Sequence, residues 1–286
     1  MQQGDKVAIV CCSNGEPRSY QEKLERLHDI LMQIGLVPVW SDYIYERDSV
    51  FSGTASQRAE SLMDFYRDDS IKAVFDISGG DIANEILPYL DFDVIAKSRK
   101  RFWGYSDLTT IMNAIYAKTG KTSVLYQIRN MLYDCADRQR EEFAKAVMHQ
   151  QKDLYDFEYQ FLQGQKMSGI VIGGNIRCLL KLAGTPYMLD FTDKILLLEA
   201  RSGGVAQMVT YLSQLKQMGA FNKVSGILLG TFTQMMKEEF NPTIYNLIKQ
   251  YAGEDIPIAY TMQIGHGTDS KAIVIGEKYM LESKKD

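Results

Sequence analysis

The stretch Arg101-Phe102-Trp103-Gly104-Tyr105-Ser106-Asp107-Leu108-Thr109 joins a short apolar strand to a helix. The pattern predicts a strand over 101–103 and a helix over 107–118, with Ser106 in the tight turn between them. A serine in such a turn stands at the end of a sheet and near a helix N-terminus, as in a nucleophile elbow. A simpler interpretation stays open, because Leu108 replaces the second glycine of G-x-S-x-G and Ser106 or Asp107 can serve as an N-cap.

The alternation of strand and helix continues on both sides of this turn. Strands are predicted at 7–11, 37–40, 72–77 and 122–126, and helices at 18–34, 54–67 and 81–90. Later in the chain, strands are predicted at 168–172, 194–198, 224–229 and 272–275, a helix at 204–218, and a solvated connecting helix in the charged stretch 134–152. This alternation is typical of an α/β protein with a parallel sheet and helices on both faces.

Length, charge and cysteine content narrow the class of protein. The 286 residues suggest two domains at roughly 150 residues each. The 32 Lys plus Arg and 36 Asp plus Glu give a net charge of −4, which provides no electrostatic footprint for nucleic acid or an anionic membrane. The apolar run 7–12 is short for a signal peptide, and no window reaches the ~18 apolar residues of a membrane span. Four cysteines without a C-x-x-C pair are typical of reduced thiols, so we expect a cytoplasmic protein.

Signals for a cofactor or a metal are weak. Gly120-Lys121-Thr122 resembles the end of a P-loop, but Ile115 occupies the position of the earlier glycine and the helix precedes the motif. The three histidines, His28, His149 and His266, are not spaced as ligand pairs, and no cysteine cluster compensates. We therefore expect neither a metal nor a cofactor.

Two residues besides Ser106 lie where catalytic groups gather. His266 is flanked by Gly265 and Gly267, which allow another backbone or a ligand to approach closely. Glu199 ends an apolar strand, and ligand sites in α/β sheets lie at such ends, although the residue can equally mark where the strand meets water. Ser106, Glu199 and His266 are thus candidates for a nucleophile, an orienting acid and a base.

Paired glycines follow the predicted strand 72–77. At such a strand end, Gly79 and Gly80 allow backbone N–H groups to point at an anion or an oxyanion, and both are candidate ligand contacts. An ordinary βα turn explains the two glycines equally well.

A series of further motifs follows in order along nearly the whole chain. They are Phe51-Ser52-Gly53-Thr54 with Arg58, Gly79-Gly80, Leu87-Pro88-Tyr89-Leu90-Asp91-Phe92-Asp93, Gly104-Tyr105-Ser106-Asp107-Leu108-Thr109, Ile115-Tyr116-Ala117-Lys118-Thr119-Gly120, Gly173-Gly174-Asn175, Leu196-Leu197-Leu198-Glu199, Leu229-Gly230-Thr231-Phe232 and Gly265-His266-Gly267. In these motifs the chain resembles the LD-carboxypeptidase family of serine peptidases, which includes the microcin C immunity peptidases.

The resemblance implies a fold and a set of roles. It implies an N-terminal flavodoxin-like parallel-sheet domain and a smaller C-terminal α/β domain with a mixed sheet, which we expect at 1–133 and 166–286 with a connecting segment at 134–165. By position in the motifs, Ser106 is the nucleophile, Glu199 the orienting acid and His266 the base. The N–H groups of Gly80 and Asp107 form the oxyanion hole, and homodimers are common in the family.

The resemblance leaves the substrate open. Family members release terminal D-alanine from the L,D-bond of murein tetrapeptides, whereas the immunity branch cleaves peptidyl-nucleotide antibiotics, and an inactive binding protein on the same scaffold is a third interpretation. The usual Ser-Pro-Ser, His-Gly-Pro and acidic segments are replaced by Cys11-Cys12-Ser13, Tyr126-Gln127-Ile128 and Ala200-Arg201-Ser202-Gly203-Gly204. Arg129 and Arg201 lie in or next to two of these segments and are candidate ligands for a substrate carboxylate, although a surface salt bridge would explain either one.

Overall fold

The computed structural model describes residues 1–283, which form two six-stranded sheets. In chain order the strands are β1 Lys6–Val10, β2 Val37–Trp40, β3 Ile71–Asp76, β4 Arg101–Gly104, β5 Ser123–Leu125, β6 Gln160–Gln163, β7 Lys166–Asn175, β8 Lys194–Ala200, β9 Gly226–Phe232, β10 Ile258–Tyr260, β11 Ile273–Ile275 and β12 Lys278–Glu282. The α-helices are α1 Gln21–Ile34, α2 Ala55–Arg67, α3 Phe92–Lys97, α4 Thr109–Thr119, α5 Ala136–His149, α6 Ile176–Leu180, α7 Val205–Gln217, α8 Thr233–Lys237 and α9 Ile244–Ala252. Short 3₁₀ helices cover Arg18–Tyr20, Ala83–Tyr89, Ser106–Leu108, Ile128–Leu132 and Ala220–Asn222.

The first sheet has the strand order β11-β5-β4-β3-β1-β2. Strands β1 to β5 run parallel, and β11 pairs antiparallel with β5. Successive side chains of β1 face opposite layers, since Val7 packs in the same core as Leu27 of α1, whereas Ala8 packs in the same core as Leu62 of α2. The predicted parallel sheet with helices on both faces is confirmed.

The second sheet has the order β12-β7-β8-β9-β10-β6. Its four central strands are parallel and both edge strands are antiparallel, so the predicted mixed sheet is confirmed. Here too the side chains alternate: Leu198 packs in one core with Leu212 of α7, and Leu197 packs in another with Ile111 of α4. Because α4 contacts strands of both sheets, it joins the two halves of the molecule.

Polar contacts fix α4 against the second sheet. The side-chain amide of Asn113 donates to the Gly173 carbonyl at 2.9 Å, and the Gly173 N–H donates to Asn113 Oδ1 at 2.8 Å. The Asn175 N–H donates to Thr109 Oγ1 at 3.0 Å. Since α4 begins just after Ser106, these bonds hold the turn at Ser106 close to the carboxyl end of β7.

Several local predictions need correction. The stretch 134–152 does contain a helix, but α5 is not merely a solvated connection, because Phe143 and Val147, four residues apart, are buried in the same core as Val7. The helix predicted at 81–90 is a 3₁₀ helix, Ala83–Tyr89, and Pro88 within it has no N–H to donate.

The division of the chain into 1–133, 134–165 and 166–286 stays a prediction. Strand β6 of the predicted connecting segment belongs to the second sheet, and β11 of the predicted C-terminal domain belongs to the first. Residues 284–286 of that division lie outside the described part of the chain. Within residues 1–283, no helix is long and apolar enough to cross a membrane.

Candidate active site

The turn after β4 holds Ser106 in a rare backbone conformation. Ser106 has a φ of 52°, in the left-handed region that non-glycine residues seldom adopt. Strain of this kind costs roughly 1–3 kcal/mol and is concentrated at functional sites. Gly104 makes the turn possible, because a Cβ there would lie 2.8 Å from the Leu108 Cβ. The predicted strand-to-helix turn is therefore present, with the Ser106 side chain partly exposed.

Three side chains from distant parts of the chain meet at this turn. His266 Nε2 lies 3.1 Å from Ser106 Oγ, and His266 Nδ1 lies 2.6 Å from Glu199 Oε2. The imidazole and the carboxylate are well shielded, with side chains 5% and 2% exposed. The Glu199 carboxylate is placed to accept a hydrogen bond from Nδ1–H, which leaves Nε2 free to accept the hydroxyl proton of Ser106. The geometry thus permits the serine to be deprotonated.

The loop carrying His266 requires a glycine beside it. Gly265 has a φ of 140°, and a Cβ there would lie 2.0 Å from Thr231 Oγ1. The same Thr231 hydroxyl accepts the His266 N–H at 3.3 Å. Glu199 is close-packed in a similar way, since a Cβ on Gly230 would lie 3.1 Å from its Cβ. The glycines around these two residues therefore let the histidine approach the end of β8.

Two backbone N–H groups lie on the segments around Ser106. Gly80 has a φ of 122°, and its N–H has no hydrogen-bond acceptor among residues 1–283. Asp107 is the second residue of the 3₁₀ helix Ser106–Leu108, so its N–H belongs to the first turn, where donors lack partners within the helix. A Cβ on Gly80 would lie 2.2 Å from the side chain of Asn14, which accepts the Asp81 N–H at 3.0 Å.

The Asp107 side chain is fully buried and forms a centre of polar contacts. Its Oδ2 accepts the Ser13 hydroxyl at 2.7 Å and the Ala83 N–H at 2.9 Å, and its Oδ1 pairs with Lys181 Nζ. From the sequence, Asp107 was a candidate for an oxyanion-hole N–H or an N-cap, and these side-chain partners were not predicted. No sequence signal connects them, because Ser13, Ala83 and Lys181 come from three separate segments.

Two cavities border the Ser106–His266 pair, one lined by Ser106 and the other by His266. One has a volume of about 280 Å³ and is lined by Gly80, Asp81, Ser106, Asn175, Arg177, Ala200, Arg201 and Ser202. The other has a volume of about 310 Å³ and is lined by Tyr105, Gln127, Asn130, Tyr133, Arg201, His266, Gly267 and Thr268. Arg201 lines both cavities, so it is a candidate contact for ligand groups in either one.

Both halves of the chain match the same family. Residues 7–126 match the model of the LD-carboxypeptidase N-terminal domain, and residues 168–281 match that of the LD-carboxypeptidase C-terminal domain. The chain belongs to the LD-carboxypeptidase family. The resemblance inferred from the sequence is thereby confirmed.

Among the proteins that this chain is similar to, some are named carboxypeptidases and one is named a microcin immunity protein. The chain is 28% identical over 292 residues to the probable murein peptide carboxypeptidase of Bacillus subtilis (strain 168), over 97% of this chain and 89% of that protein. It is 25% identical over 312 residues to the microcin C7 self-immunity protein MccF of Escherichia coli, over 98% of this chain and 91% of that protein. A structure of MccF in complex with glutamyl sulfamoyl guanosine shares the fold, with a TM-score of 0.87, 23% identity and coverage of 99% of this chain and 94% of that chain.

The candidate substrate contacts of this LD-carboxypeptidase family member have different environments. Arg129 forms a buried ion pair with Glu16 at 2.7 Å, not a surface salt bridge, so its charge is already neutralised. Burial raises the pKa of Glu16 while Arg129 opposes that shift. Arg201 is exposed, and its guanidinium has no partner among residues 1–283. Gly79 lines neither cavity, and its carbonyl accepts the Asn14 N–H at 3.1 Å.

Gln127 is a cavity residue that the sequence indicated only as a departure from the family pattern. Its Oε1 accepts the Arg129 N–H at 3.0 Å, which leaves the amide nitrogen as a pure donor. Gln127 is 4% exposed, and its Nε2 has no acceptor among residues 1–283.

Among residues 1–283, no group of three or more His, Cys, Asp or Glu side chains is arranged so that it could hold a metal ion.

Proposed function

We propose that this protein is a serine carboxypeptidase in which Ser106 is the nucleophile, His266 the general base and Glu199 the orienting acid. The observation that carries the proposal is the continuous hydrogen-bonded series from Ser106 Oγ through the imidazole to the buried Glu199 carboxylate. A serine hydroxyl is a weak nucleophile that needs such a base, and the base needs a partner that sets its tautomer. The left-handed φ of Ser106 supports the same role, because this conformation presents the hydroxyl at the carboxyl end of β4.

In the proposed reaction, Ser106 Oγ attacks the amide carbonyl while His266 Nε2 takes its proton. The carbonyl oxygen becomes an oxyanion, which the N–H groups of Gly80 and Asp107 stabilise. As the C–N bond breaks, His266 returns the proton to the leaving amine and an acyl-enzyme remains. A water molecule, deprotonated by His266, then hydrolyses the ester and restores Ser106.

The proposed substrate is a murein tetrapeptide, and the proposed product is its terminal D-alanine. The family and the name of the Bacillus subtilis relative support this choice. In the cavity beside His266, Gln127 and Arg201 supply donors, and none of the lining residues is a carboxylate. This lining fits a leaving group that carries a free carboxylate, as D-alanine does.

The second candidate is cleavage of a peptidyl or aminoacyl nucleotide. It is supported by the similarity to MccF along both chains and by the MccF complex with glutamyl sulfamoyl guanosine. Tetrapeptide, pentapeptide and an aminoacyl sulfamoyl adenylate, offered side by side, separate the two by mass spectrometry. Release of D-alanine from the tetrapeptide alone supports the murein activity, whereas exclusive cleavage of the adenylate would assign the protein to the immunity branch.

A fluorophosphonate label tests whether the protein is an enzyme at all. Covalent labelling of Ser106 requires an activated nucleophile and does not depend on the identity of the substrate. An unlabelled, folded protein would support the third interpretation, an inactive binding protein on this scaffold.

We further propose that the protein is a cytoplasmic homodimer. The four cysteines are free thiols, which suits a reducing compartment. Light scattering during size-exclusion chromatography tests the dimer, and a mass of one chain would contradict it.

A further inference from the structure

The two proposed oxyanion donors come from separate segments of the N-terminal half. Gly80 lies in the turn after β3, whereas Asp107 lies in the turn after β4. Two donors stabilise one oxygen only if the distance between them is right to within a fraction of an ångström. Other contacts must therefore fix the turn that carries Gly80 relative to the turn that carries Asp107.

Lys181 contacts both turns at once. It directly follows α6, in the C-terminal half of the chain. Its Nζ donates to the Asp81 carbonyl at 2.7 Å and also pairs with Asp107 Oδ1. The Lys181 side chain is 17% exposed and the Asp107 side chain is 0% exposed, so this pair is poorly screened by water.

The rest of the Asp107 carboxylate is tied to the same region. Oδ2 accepts the hydroxyl of Ser13 and the N–H of Ala83, which lies three residues after Gly80. Arg177, one turn before Lys181, donates to the Gly80 carbonyl at 3.0 Å. The carboxylate is thus held at three points, and Lys181 supplies the positively charged one while it also binds the Asp81 carbonyl of the other turn.

We infer that Lys181 is a positioning residue that sets the separation of the Gly80 and Asp107 N–H donors. The inference rests on the proposed serine peptidase chemistry, to which it adds a role for α6 and the residue after it. In this proposal the C-terminal half has two roles. It supplies His266 and Glu199, which activate Ser106, and it supplies Lys181, which holds the oxyanion donors in place. Lys181 itself touches no reacting atom.

The test compares Lys181→Met with Lys181→Arg. Methionine keeps most of the volume but removes the charge and the donors, whereas arginine keeps both. We expect Lys181→Met to lower kcat and the rate of fluorophosphonate labelling at least about tenfold, since displaced oxyanion donors weaken transition-state binding. KM should change little, and Lys181→Arg should recover a substantial part of both rates.

A matched control separates positioning from general stability. Lys100 is 6% exposed and its Nζ donates to the Tyr66 carbonyl at 2.7 Å, but it precedes β4, at the end of the strand opposite Ser106. Lys100→Met removes a buried lysine of the same kind and should leave kcat per folded molecule unchanged. Rates are therefore normalised to the folded fraction from thermal unfolding.

The possible outcomes distinguish failure of the positioning role from failure of the proposed function. Lys181→Met with kcat and labelling rate within twofold of wild type, or losses equal to those of Lys100→Met, would overturn the positioning role. A wild-type protein that is labelled but releases no product from any substrate contradicts the proposed function, and the labelling rate of Lys181→Met then decides the inference alone. A folded wild-type protein that cannot be labelled contradicts both.

Discussion

Replacing Gly80 by alanine tests the proposed oxyanion hole directly. The new Cβ would lie 2.2 Å from the Asn14 side chain, and a φ of 122° is strained for any residue with a Cβ. Asn14 can move aside only by giving up the hydrogen bond that its Oδ1 accepts from the Asp81 N–H at 3.0 Å. Loss of this bond and the strained φ both disturb the turn, and we expect the Gly80 N–H to be displaced with it.

The expected loss follows from the removal of one donor. Losing a single oxyanion-hole donor costs about 10²–10³ in kcat, or about 2.7–4 kcal/mol of transition-state stabilisation. The strained backbone should also cost roughly 1–3 kcal/mol of folding stability. KM should change little, because the interaction forms mainly in the transition state.

The assay measures D-alanine release and fluorophosphonate labelling beside a strained control. Gly120, the C-cap of α4, has a φ of 70°, and a Cβ there would meet nothing within 4 Å. Gly120→Ala therefore also places a Cβ at a positive φ but displaces no neighbour, and it should lose stability but retain kcat. A folded Gly80→Ala protein with more than a third of the wild-type kcat would refute the assignment of this N–H.

Three further substitutions test the other proposed roles. Ser106→Ala should lower kcat by at least ~10³-fold without unfolding the protein, since the three groups act as a unit; a tenth of wild-type activity would contradict the nucleophile. Glu199→Gln should lower kcat at least about 10²-fold at unchanged KM, because the amide no longer stabilises the imidazolium; circular dichroism checks the fold. Gln127→Leu should weaken binding of D-alanine but not of D-alaninamide, as measured by calorimetry; equal loss for both ligands would exclude a carboxylate contact.

A local pattern was enough to predict the main architecture. The strand-to-helix turn around Ser106 and the alternation on both sides of it predict the first sheet, because apolar runs and amphipathic periods are local properties of the chain. The pairing of β11 with β5 could not be predicted from the sequence, because three apolar residues, Ile273–Ile275, fit a central or an edge strand of either sheet. The burial of α5 was missed because Phe143 and Val147 are few among many charged neighbours.

For the site, the sequence determined which residue types were available and at which strand ends they lie. Glycines beside Ser106, Glu199 and His266 indicated close approach before any coordinates, because a missing Cβ leaves room for another backbone. The motif order indicated the LD-carboxypeptidase family, which both domain matches show. The roles of these residues stay predictions.

Only the tertiary structure decided which polar groups are already paired. It joins Arg129 to Glu16 and Asp107 to Lys181 across 113 and 74 residues, and it leaves Arg201 unpaired within residues 1–283. The physical reason is that an ion pair depends on a separation of a few ångströms in space, whereas local sequence patterns report only contacts within a few turns or strands. Which charged side chains remain available to bind a ligand can therefore be determined only from the folded structure.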